Sequence, residues 1–455
     1  MTMLRKVALA TVAAGILTAA WSPMTPVQAD EVTLKLWSRA DRSGPLRAGN
    51  IVAAADTLNK MFAASGSPTR VTVEVHENNA KGFDADALDL MKAFAADKGP
   101  DIYVAAHEWI GAFVEAGYAM PMEDHIAANP EFYDDIIPIL WESVKYKGAR
   151  YGVPQDSEVR MFFYNKDMLR KIGKSEDFIE SLPARVETGE MTIYELTDLA
   201  KEVMDGGAAK YGMVHRPNVG PDFQMVMASF GFEPYNPDTG KLQASRSALI
   251  AFHEWLKYAV DQGVLPENMT SWSWDSVHQA FRGGESFLKF HGIWNVGKQM
   301  EAFKLSGPED YFRTIGWVHS PPEKKGGRPA NLSHPIIYVV SDQSQHKDLA
   351  AYLVAIASQP YFNTQHAVTT NHTPINHGQV AQPLFIEQGW ALRAGAPMLK
   401  YSTFMPNHQQ IGQYNAVIYK GIQGVETGRL SPEEGADFVI EELQAELGDE
   451  VVILD

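Results

Sequence analysis

Two acidic residues close to predicted strands have the chemistry to hold or to cleave a polar ligand. Glu108 is the second residue after the apolar segment Asp101–Ala106, and Glu158 lies in the segment SEVRMFFYNKD. Two carboxylates in one cleft can accept hydrogen bonds from hydroxyl groups, or can serve as the acid and base of a glycoside hydrolase. Arg42 and Arg160 would tend to keep both carboxylates ionised, which favours binding over acid catalysis.

Aromatic side chains are the second group with an obvious chemical use. The chain has 10 tryptophans, and an indole can stack on the apolar face of a pyranose while neighbouring polar groups bond its hydroxyls. Trp272 and Trp274 form the sequence SWSW, which either provides a stacking wall or only precedes the helix predicted from Asp275.

Most catalytic and cofactor motifs are absent from the sequence. There is no cysteine, which excludes disulfides, thiolate metal sites and cysteine nucleophiles. The phosphate-binding, dinucleotide-binding, nucleophile-elbow and zincin patterns are also missing. His372 and His377 stand five residues apart in a turn-rich segment, a spacing that is more often solvated than metal-binding. We therefore expect neither a metal nor a cofactor.

Charge and the amino-terminal segment predict the compartment. The formal net charge is −17, which disfavours nucleic acid and anionic membranes as partners. Arg5 and Lys6, an apolar stretch over Val7–Ala20 and small residues up to Ala29 are typical of a secretory signal peptide over residues 1–29. We expect a soluble periplasmic protein without a lipid anchor.

Helical and strand patterns alternate after that segment. Strands are predicted at Glu31–Trp37, Val71–Val75 and Asp101–Ala106, with helices over Ala48–Ala64 and Phe83–Ala96. This order is that of a parallel α/β sheet, in which ligands lie at the carboxyl ends of the strands.

Five blocks of sequence then resemble the maltose-binding-protein-like extracellular solute-binding proteins of carbohydrate ABC importers. They are GPDIYVAAHEWIGAFVEAGYAMPM, YKGARYGVPQDSEVRMFFYNKDML, TIYELTDLAKEV, AFRGGESFLKFHGIW and the segment from FMPNHQQ to VIEEL. The resemblance implies an α/β, two-lobed periplasmic binding protein fold of type II, with discontinuous lobes joined by hinge crossings. The expected amino-terminal lobe covers 30–155 and 337–385, and the carboxy-terminal lobe covers 156–336 and 386–455.

The resemblance also implies a ligand site between the lobes. The residues that match binding positions of the family are Trp37, Asp41, Arg42, Glu108, Glu158, Trp294 and Asn415. Asn415 replaces a second stacking ring of the family, so this aromatic platform is either lost or moved to the neighbouring Tyr414.

Two further features, a group of arginines and a histidine, bear on specificity. Arg39, Arg42 and Arg160 could grip a carboxylate, sulfonate or phosphate of the ligand, or could only balance nearby acids. His334, in the segment NLSHP, is expected at the lobe interface.

The leading expectation is a monomeric periplasmic receptor that captures a di- or oligosaccharide and delivers it to a membrane permease. A receptor for an acidic or substituted sugar and a secreted glycoside hydrolase that uses Glu108 and Glu158 remain alternatives. An ion-binding member of the same fold is disfavoured, because no cluster of tyrosines and histidines stands at the strand ends.

Overall fold

A computed structural model describes residues 30–40, 46–80 and 82–455. The predicted signal peptide and the predicted ligand residues Asp41 and Arg42 lie outside the described residues.

The strands that build the sheets are short and scattered along the whole described chain. They are β1 Glu31–Arg39, β2 Arg70–Asn78, β3 Ile102–Ala106, β4 Lys145–Tyr146, β5 Ala149–Arg150, β6 Val153–Pro154, β7 Arg160–Asn165, β8 Tyr211–Val214, β9 Tyr235–Asn236, β10 Lys241–Ser245, β11 Ser286–Gly292, β12 Ile315–Val318, β13 Asn331–Leu332, β14 Ile336–Val340, β15 Ser402–Thr403 and β16 Val451–Leu454.

Helices connect and cover these strands. They are α1 Leu46–Ser65, α2 Phe83–Ala95, α3 Ile110–Glu115, α4 Glu123–Ala128, α5 Lys166–Lys171, α6 Glu176–Glu187, α7 Ile193–Asp205, α8 Pro221–Ala228, α9 Arg246–Asp261, α10 Trp274–Arg282, α11 Val296–Ala302, α12 Pro308–Thr314, α13 Lys347–Ala357, α14 Pro360–Thr370, α15 Pro383–Gln388, α16 Trp390–Gly395, α17 Ile411–Glu426 and α18 Pro432–Leu447. Short 3-10 turns include His107–Trp109 and Ile293–Asn295.

The first sheet has the order β2-β1-β3-β14-β6. The strands β1, β2 and β3 are parallel, as their alternation with helices predicts, whereas β14 pairs antiparallel with β3 and with β6. The sheet is therefore mixed, because β14 enters it from the opposite direction. In this register Ile336 pairs with Ala106, which sets the residues before β14 beside those that follow β3.

The second sheet has the order β12-β7-β11-β8. The strand β7 runs antiparallel to β11, and Arg160 pairs with Gly292. Because β8 and β11 are parallel, their carboxyl ends and the amino end of β7 meet at one edge. All six residues of β7 are buried, as expected for a central strand covered on both faces.

The chain passes between the two sheets at several points. One crossing joins β6 to β7 and another joins β12 to β14, and a later segment returns to α17. The pairing of β13 with β15 ties two of these segments together. Ala367 and Phe385, which belong to the expected amino-terminal lobe, pack in one core cluster with Val159 and Ile293 of the second lobe.

Local sequence signals explain where several helices begin. Thr192 and Ser431 form capping boxes with Glu195 and Glu434 at the starts of α7 and α18. The apolar residues of β1 alternate with polar ones, and Leu34 and Leu36 are buried. In the described part of the chain, the helices are all too short or too polar to span a bilayer.

Candidate functional site

Charged side chains are buried where the ends of the two sheets meet. Glu108 follows β3, Glu158 precedes β7 and His334 precedes β14. Each is at most 4% exposed. A buried charge is costly unless it is paired and hydrogen-bonded, so the contacts among these groups define what the site does.

His334 lies between the two carboxylates. Its Nε2 is 2.8 Å from Oε1 of Glu108, and its Nδ1 is 3.6 Å from Oε1 of Glu158. The register of β14 against β3 brings His334 to Glu108, and the crossing from β6 to β7 brings Glu158 to the other side of the ring. Three separate segments therefore converge on one imidazole.

Arginines hold the second side of the site. Arg160 donates hydrogen bonds to Glu158 and to Asp222, which is fully buried at the start of α8. Arg216 adds a contact of 3.3 Å to Asp222. We call Glu108, Glu158, Arg160, Asp222 and His334 the His334 cluster.

Burial and neighbouring charges shift the pKa values within this cluster. Burial by itself would raise the pKa of Glu108, but the His334 imidazolium and its hydrogen bond lower this pKa to about 2. Burial raises the pKa of Glu158 in spite of Arg160 and His334. Arg160 thus lowers the pKa of Glu158 without outweighing burial, whereas for Glu108 the cation that lowers the pKa is His334 and not an arginine.

Aromatic rings surround the cluster and are already covered by the chain's own cations and imidazoles. The Arg160 guanidinium lies 4.8 Å from the centre of the Trp294 ring, and His372 stacks on that ring with centroids 5.8 Å apart. Trp274 stacks on His291 at 5.1 Å. Trp294 and Trp274 therefore belong to the walls of the site.

Arg39 approaches the site from the first lobe. Its guanidinium lies 4.4 Å from the centre of the Phe83 ring, and this ring is 6.1 Å from His334. Arg39 thus reaches the edge of the His334 cluster through one aromatic ring.

Two predicted residues, Trp37 and Trp272, occupy other environments. The Trp37 indole donates to Asp86 at 3.0 Å and packs at a tilt against the ring of His76 on the edge strand β2. Trp272 packs against Tyr211 at the amino end of β8, the end of the strand away from the cluster.

Tyr414 and Asn415 are neighbours on α17 but face different ways. Tyr414 is fully buried in the second-lobe core, and its hydroxyl donates to the carbonyl of Gln243 at 2.7 Å. The structure therefore does not bring Tyr414 to the site as a replacement ring. Asn415 instead accepts a hydrogen bond of 3.3 Å from Gln224 on α8.

The two lobes touch around the cluster. A Cβ atom added at Gly412 of α17 would lie 2.8 Å from the Trp109 ring, so this contact needs a glycine. Arg216 of the second lobe interacts electrostatically with Asp84 of α2. Residues expected in different lobes are therefore in contact beside the cluster.

A cavity of about 650 Å³ lies beside the cluster rather than within it. Its wall includes Phe404 and Asn407, and both of these contact His107, whose ring centroid is 5.5 Å from that of His334. The five charged side chains of the cluster do not line this cavity. The charged groups that could bind a polar ligand therefore lie in the cluster and not in the cavity wall.

Several buried polar atoms of the site lack a hydrogen-bond partner among the described residues. These atoms are Oε2 of Glu108, Nε of Arg160, Nε2 of His107, Nδ1 of His291 and Oε1 of Gln224. They include both donors and acceptors. An unbonded buried polar atom costs about 1–3 kcal/mol, so a ligand with both kinds of group would be stabilised here.

A second buried ionic group adjoins the cluster and was not predicted from sequence. Arg47 contacts Asp156 at 2.5 Å and Nε2 of His372 at 3.3 Å, while Nε2 of His366 is 2.9 Å from Asp156. We call these four residues the Arg47 hub. Asp156, His366 and His372 have the spacing of a metal site, but the guanidinium already occupies the position of a cation.

Asp222, Arg216 and the Arg47 hub are the functional and structural residues that sequence reasoning missed. Asp222 had a usable signal, because it stands in the loop HRPNVGPDF after β8, and such loops at carboxyl strand ends bind ligands. The hub had none, because Arg47 and Asp156 are 109 residues apart.

Comparison with known proteins agrees with this architecture. A curated relative, the maltotriose-binding protein of Pyrococcus abyssi, is 24% identical over 213 residues, which are 47% of this chain and 42% of that protein. The chain therefore spans less than half the length of that relative. The galactooligosaccharide-binding protein of Bacillus subtilis is 22% identical over 369 residues, covering 79% of this chain and 80% of its own.

Solved structures share the fold. The GacH receptor of Streptomyces glaucescens, determined unliganded and with acarbose, superposes with a TM-score of 0.72 at 19% identity, covering 92% of this chain and 99% of that one. This likeness establishes the two-lobed α/β fold that the resemblance implied. The family model described as bacterial extracellular solute-binding protein matches residues 53–394, and the chain belongs to that family.

Proposed function

We propose that this protein captures a di- or oligosaccharide between its two lobes and delivers it to the membrane permease of an ABC importer. The observation that carries the proposal is the His334 cluster, which is buried between the lobes and keeps unbonded donors and acceptors beside tryptophan rings. Two relatives are named for binding maltotriose and galactooligosaccharide, and these names support the same class of ligand.

The chemistry of the cluster matches a sugar better than an apolar ligand. Each sugar hydroxyl both donates and accepts, so it can serve Oε2 of Glu108 and Nε of Arg160 at once. An apolar molecule would leave these atoms unbonded.

Closure follows from the division of the site between the lobes. Glu108 belongs to the first lobe, whereas Arg160, Asp222 and Trp294 belong to the second. A ligand that contacts both sets binds the closed state more tightly than the open state, and thus shifts the equilibrium towards closure. We propose that the lobes divide at residues 155, 336 and 385, and that the permease recognises the closed form of a soluble, monomeric periplasmic protein.

The arginines favour a neutral sugar over an acidic one. Arg160 is bonded to Glu158 and Asp222, and Arg216 to Asp222. A guanidinium that already serves carboxylates of the chain offers less to a carboxylate of the ligand. An acidic or substituted sugar therefore stays the less favoured alternative.

Glycoside hydrolysis is the competing activity, and one observation bears on it. The pKa of Glu158 is raised by burial while that of Glu108 is lowered to about 2, and such a divergence also occurs between catalytic carboxylates. In this protein, however, both groups are bonded to cations of the chain, and its family and fold are those of binding proteins. We propose that it is not an enzyme.

Isothermal titration and thermal-shift assays with maltose, maltotriose, galactooligosaccharides and digalacturonate test the proposal. We expect saturable binding of at least one neutral sugar, with a raised melting temperature and no released monosaccharide. Trp294→Ala should weaken that binding about tenfold or more. Trp272→Ala is the matched control, because Trp272 packs against Tyr211 outside the cluster.

Two outcomes would contradict the proposal. Absence of binding to every sugar of the panel would remove the carbohydrate ligand. Equal affinities of the Trp294→Ala and Trp272→Ala variants would move the site away from the His334 cluster.

A further inference from the structure

One imidazole connects the charged groups that the two lobes bring together. His334 is 3% exposed and contacts Glu108 through Nε2 at 2.8 Å, and it faces Glu158 through Nδ1 at 3.6 Å. An imidazole has an N–H at both nitrogens only when it is protonated. Neutral His334 can serve one carboxylate, whereas protonated His334 serves both.

We propose that His334 is a protonated counter-ion shared by Glu108 and Glu158, so that closure of the lobes on a sugar takes up a proton and the affinity falls as the pH rises. This inference rests on the proposed sugar-binding function and adds its regulation by pH.

The groups that face His334 give the balance of charge around it. The turn after β3 contributes Glu108 and His107, whose ring centroid is 5.5 Å from that of His334. The segment that leads into β7 contributes Glu158, and the first residue of β7 is Arg160. Asp84 faces it from α2. Arg160 is the one of these groups with a fixed positive charge, and it is bonded to Glu158 and Asp222.

The loss of a proton from His334 would therefore leave Glu108 buried without a bonded cation among the residues that the structure describes. In an open cleft, water can solvate that carboxylate. In the closed cleft it cannot, and a buried unpaired charge is strongly destabilising. Closure consequently favours the protonated imidazole. Burial alone would lower the pKa of His334, but Glu108 and Glu158 outweigh it and raise this pKa above its ordinary value.

The sign of the effect follows from this shift. When closure raises the pKa of a group, affinity is greatest below the pKa of the open form and declines until the pH passes that of the closed form. One proton allows a decline of at most tenfold per pH unit. We expect the wild-type affinity for maltotriose to fall about tenfold or more between pH 6 and pH 9.

Calorimetry with maltotriose at pH 6, 7, 8 and 9 tests the coupling. His334→Gln should bind weakly at every pH with a flat profile. His334→Lys keeps its charge to pH 9, so it should also be flat but bind more tightly than His334→Gln at that pH. The control His125→Gln removes an imidazole that packs on Tyr133 and Tyr352 in the first lobe, and it should keep the wild-type profile.

A titration of the His334 ring by NMR, without any sugar, separates this inference from the proposed function. We expect the pKa of this ring to fall in Glu108→Gln. The same ring pKa in the wild type and in Glu108→Gln, or a wild-type affinity profile as flat as that of His334→Gln, would overturn the shared counter-ion. If no sugar of the panel binds, the proposed function fails, while the ring titration still decides whether His334 holds the proton.

Discussion

The His334 cluster and the Arg47 hub are both buried ionic groups, but they satisfy their carboxylates differently. In the hub, Asp156 is bonded to a guanidinium, to His366 and to the backbone N–H of Ile336. In the cluster, the described residues give Glu108 one side-chain partner, the imidazole of His334, and leave its Oε2 without a hydrogen bond. The complete set of bonds suits a structural joint, whereas the incomplete set suits a site that a ligand completes.

The hub and the cluster also differ in how the cation bonded to the carboxylate responds to pH. The cation bonded to Asp156 is Arg47, which keeps its charge at every physiological pH. The cation bonded to Glu108 is His334, whose charge depends on the pH around neutrality. The Arg47 hub and the His334 cluster, which share the crossing segment from β6 to β7, can thus have different roles. The hub stabilises the joint, and the cluster responds to ligand and pH.

Breaking the hub should produce the largest effect. Asp156→Asn leaves Arg47 buried without its anion, and removal of one partner from a buried ion pair costs about 3–5 kcal/mol. Urea denaturation at pH 7 measures this loss in the free energy of unfolding. Glu123→Gln is the control, because Glu123 pairs with Arg150 at the surface, and such pairs contribute about 0–1 kcal/mol. Similar losses in both variants would show that the hub is not a structural joint.

Much of the fold was predictable because it follows from local patterns. The strands β1, β2 and β3 and the helices between them come from periodicity alone, and their parallel order from their alternation. The antiparallel entry of β14 was not predictable in this way, because it depends on a chain that returns from the other lobe.

The site was predictable where a residue stands at a strand end. Glu108, Glu158 and Trp294 all do so, and the structure gathers them. Tyr414 shows the limit of such reasoning. Adjacent residues of a helix point about 100° apart, so Asn415 faces the site while Tyr414 faces the core.

Acid should lower the free energy of unfolding of the wild type more than that of Glu108→Gln. A carboxyl whose pKa is lowered on folding stabilises the protein above its unfolded pKa, and this contribution is lost as the pH falls towards the folded value. The pKa of Glu108 is lowered from 4.5 to about 2, so about 2 kcal/mol of its contribution should be lost between pH 6 and pH 3.

Urea denaturation of wild type and Glu108→Gln at both pH values measures this contribution. The variant should be less stable at pH 6, and its stability should fall less towards pH 3 because it has no proton to gain at this position. Parallel declines of the two proteins would contradict a lowered pKa at Glu108.

The smallest expected effect is at the residue that joins the two regions. His372 contacts Arg47 at 3.3 Å, lies 4.0 Å from Oε2 of Glu158 and stacks on Trp294. It is a secondary partner on both sides, since Asp156 holds Arg47, and Arg160 holds Glu158 and covers Trp294. We expect His372→Gln to cost about 1 kcal/mol of stability and to change sugar affinity less than about fivefold, roughly 1 kcal/mol.

Paired measurements on that one variant show how separate the two regions are. Urea denaturation reports on the hub and calorimetry with the bound sugar reports on the cluster. If affinity falls about a hundredfold while stability is unchanged, the imidazole of His372 belongs to the ligand site itself. In that case Arg47 would belong to the structural joint and His372 to the ligand site, although both are members of the hub.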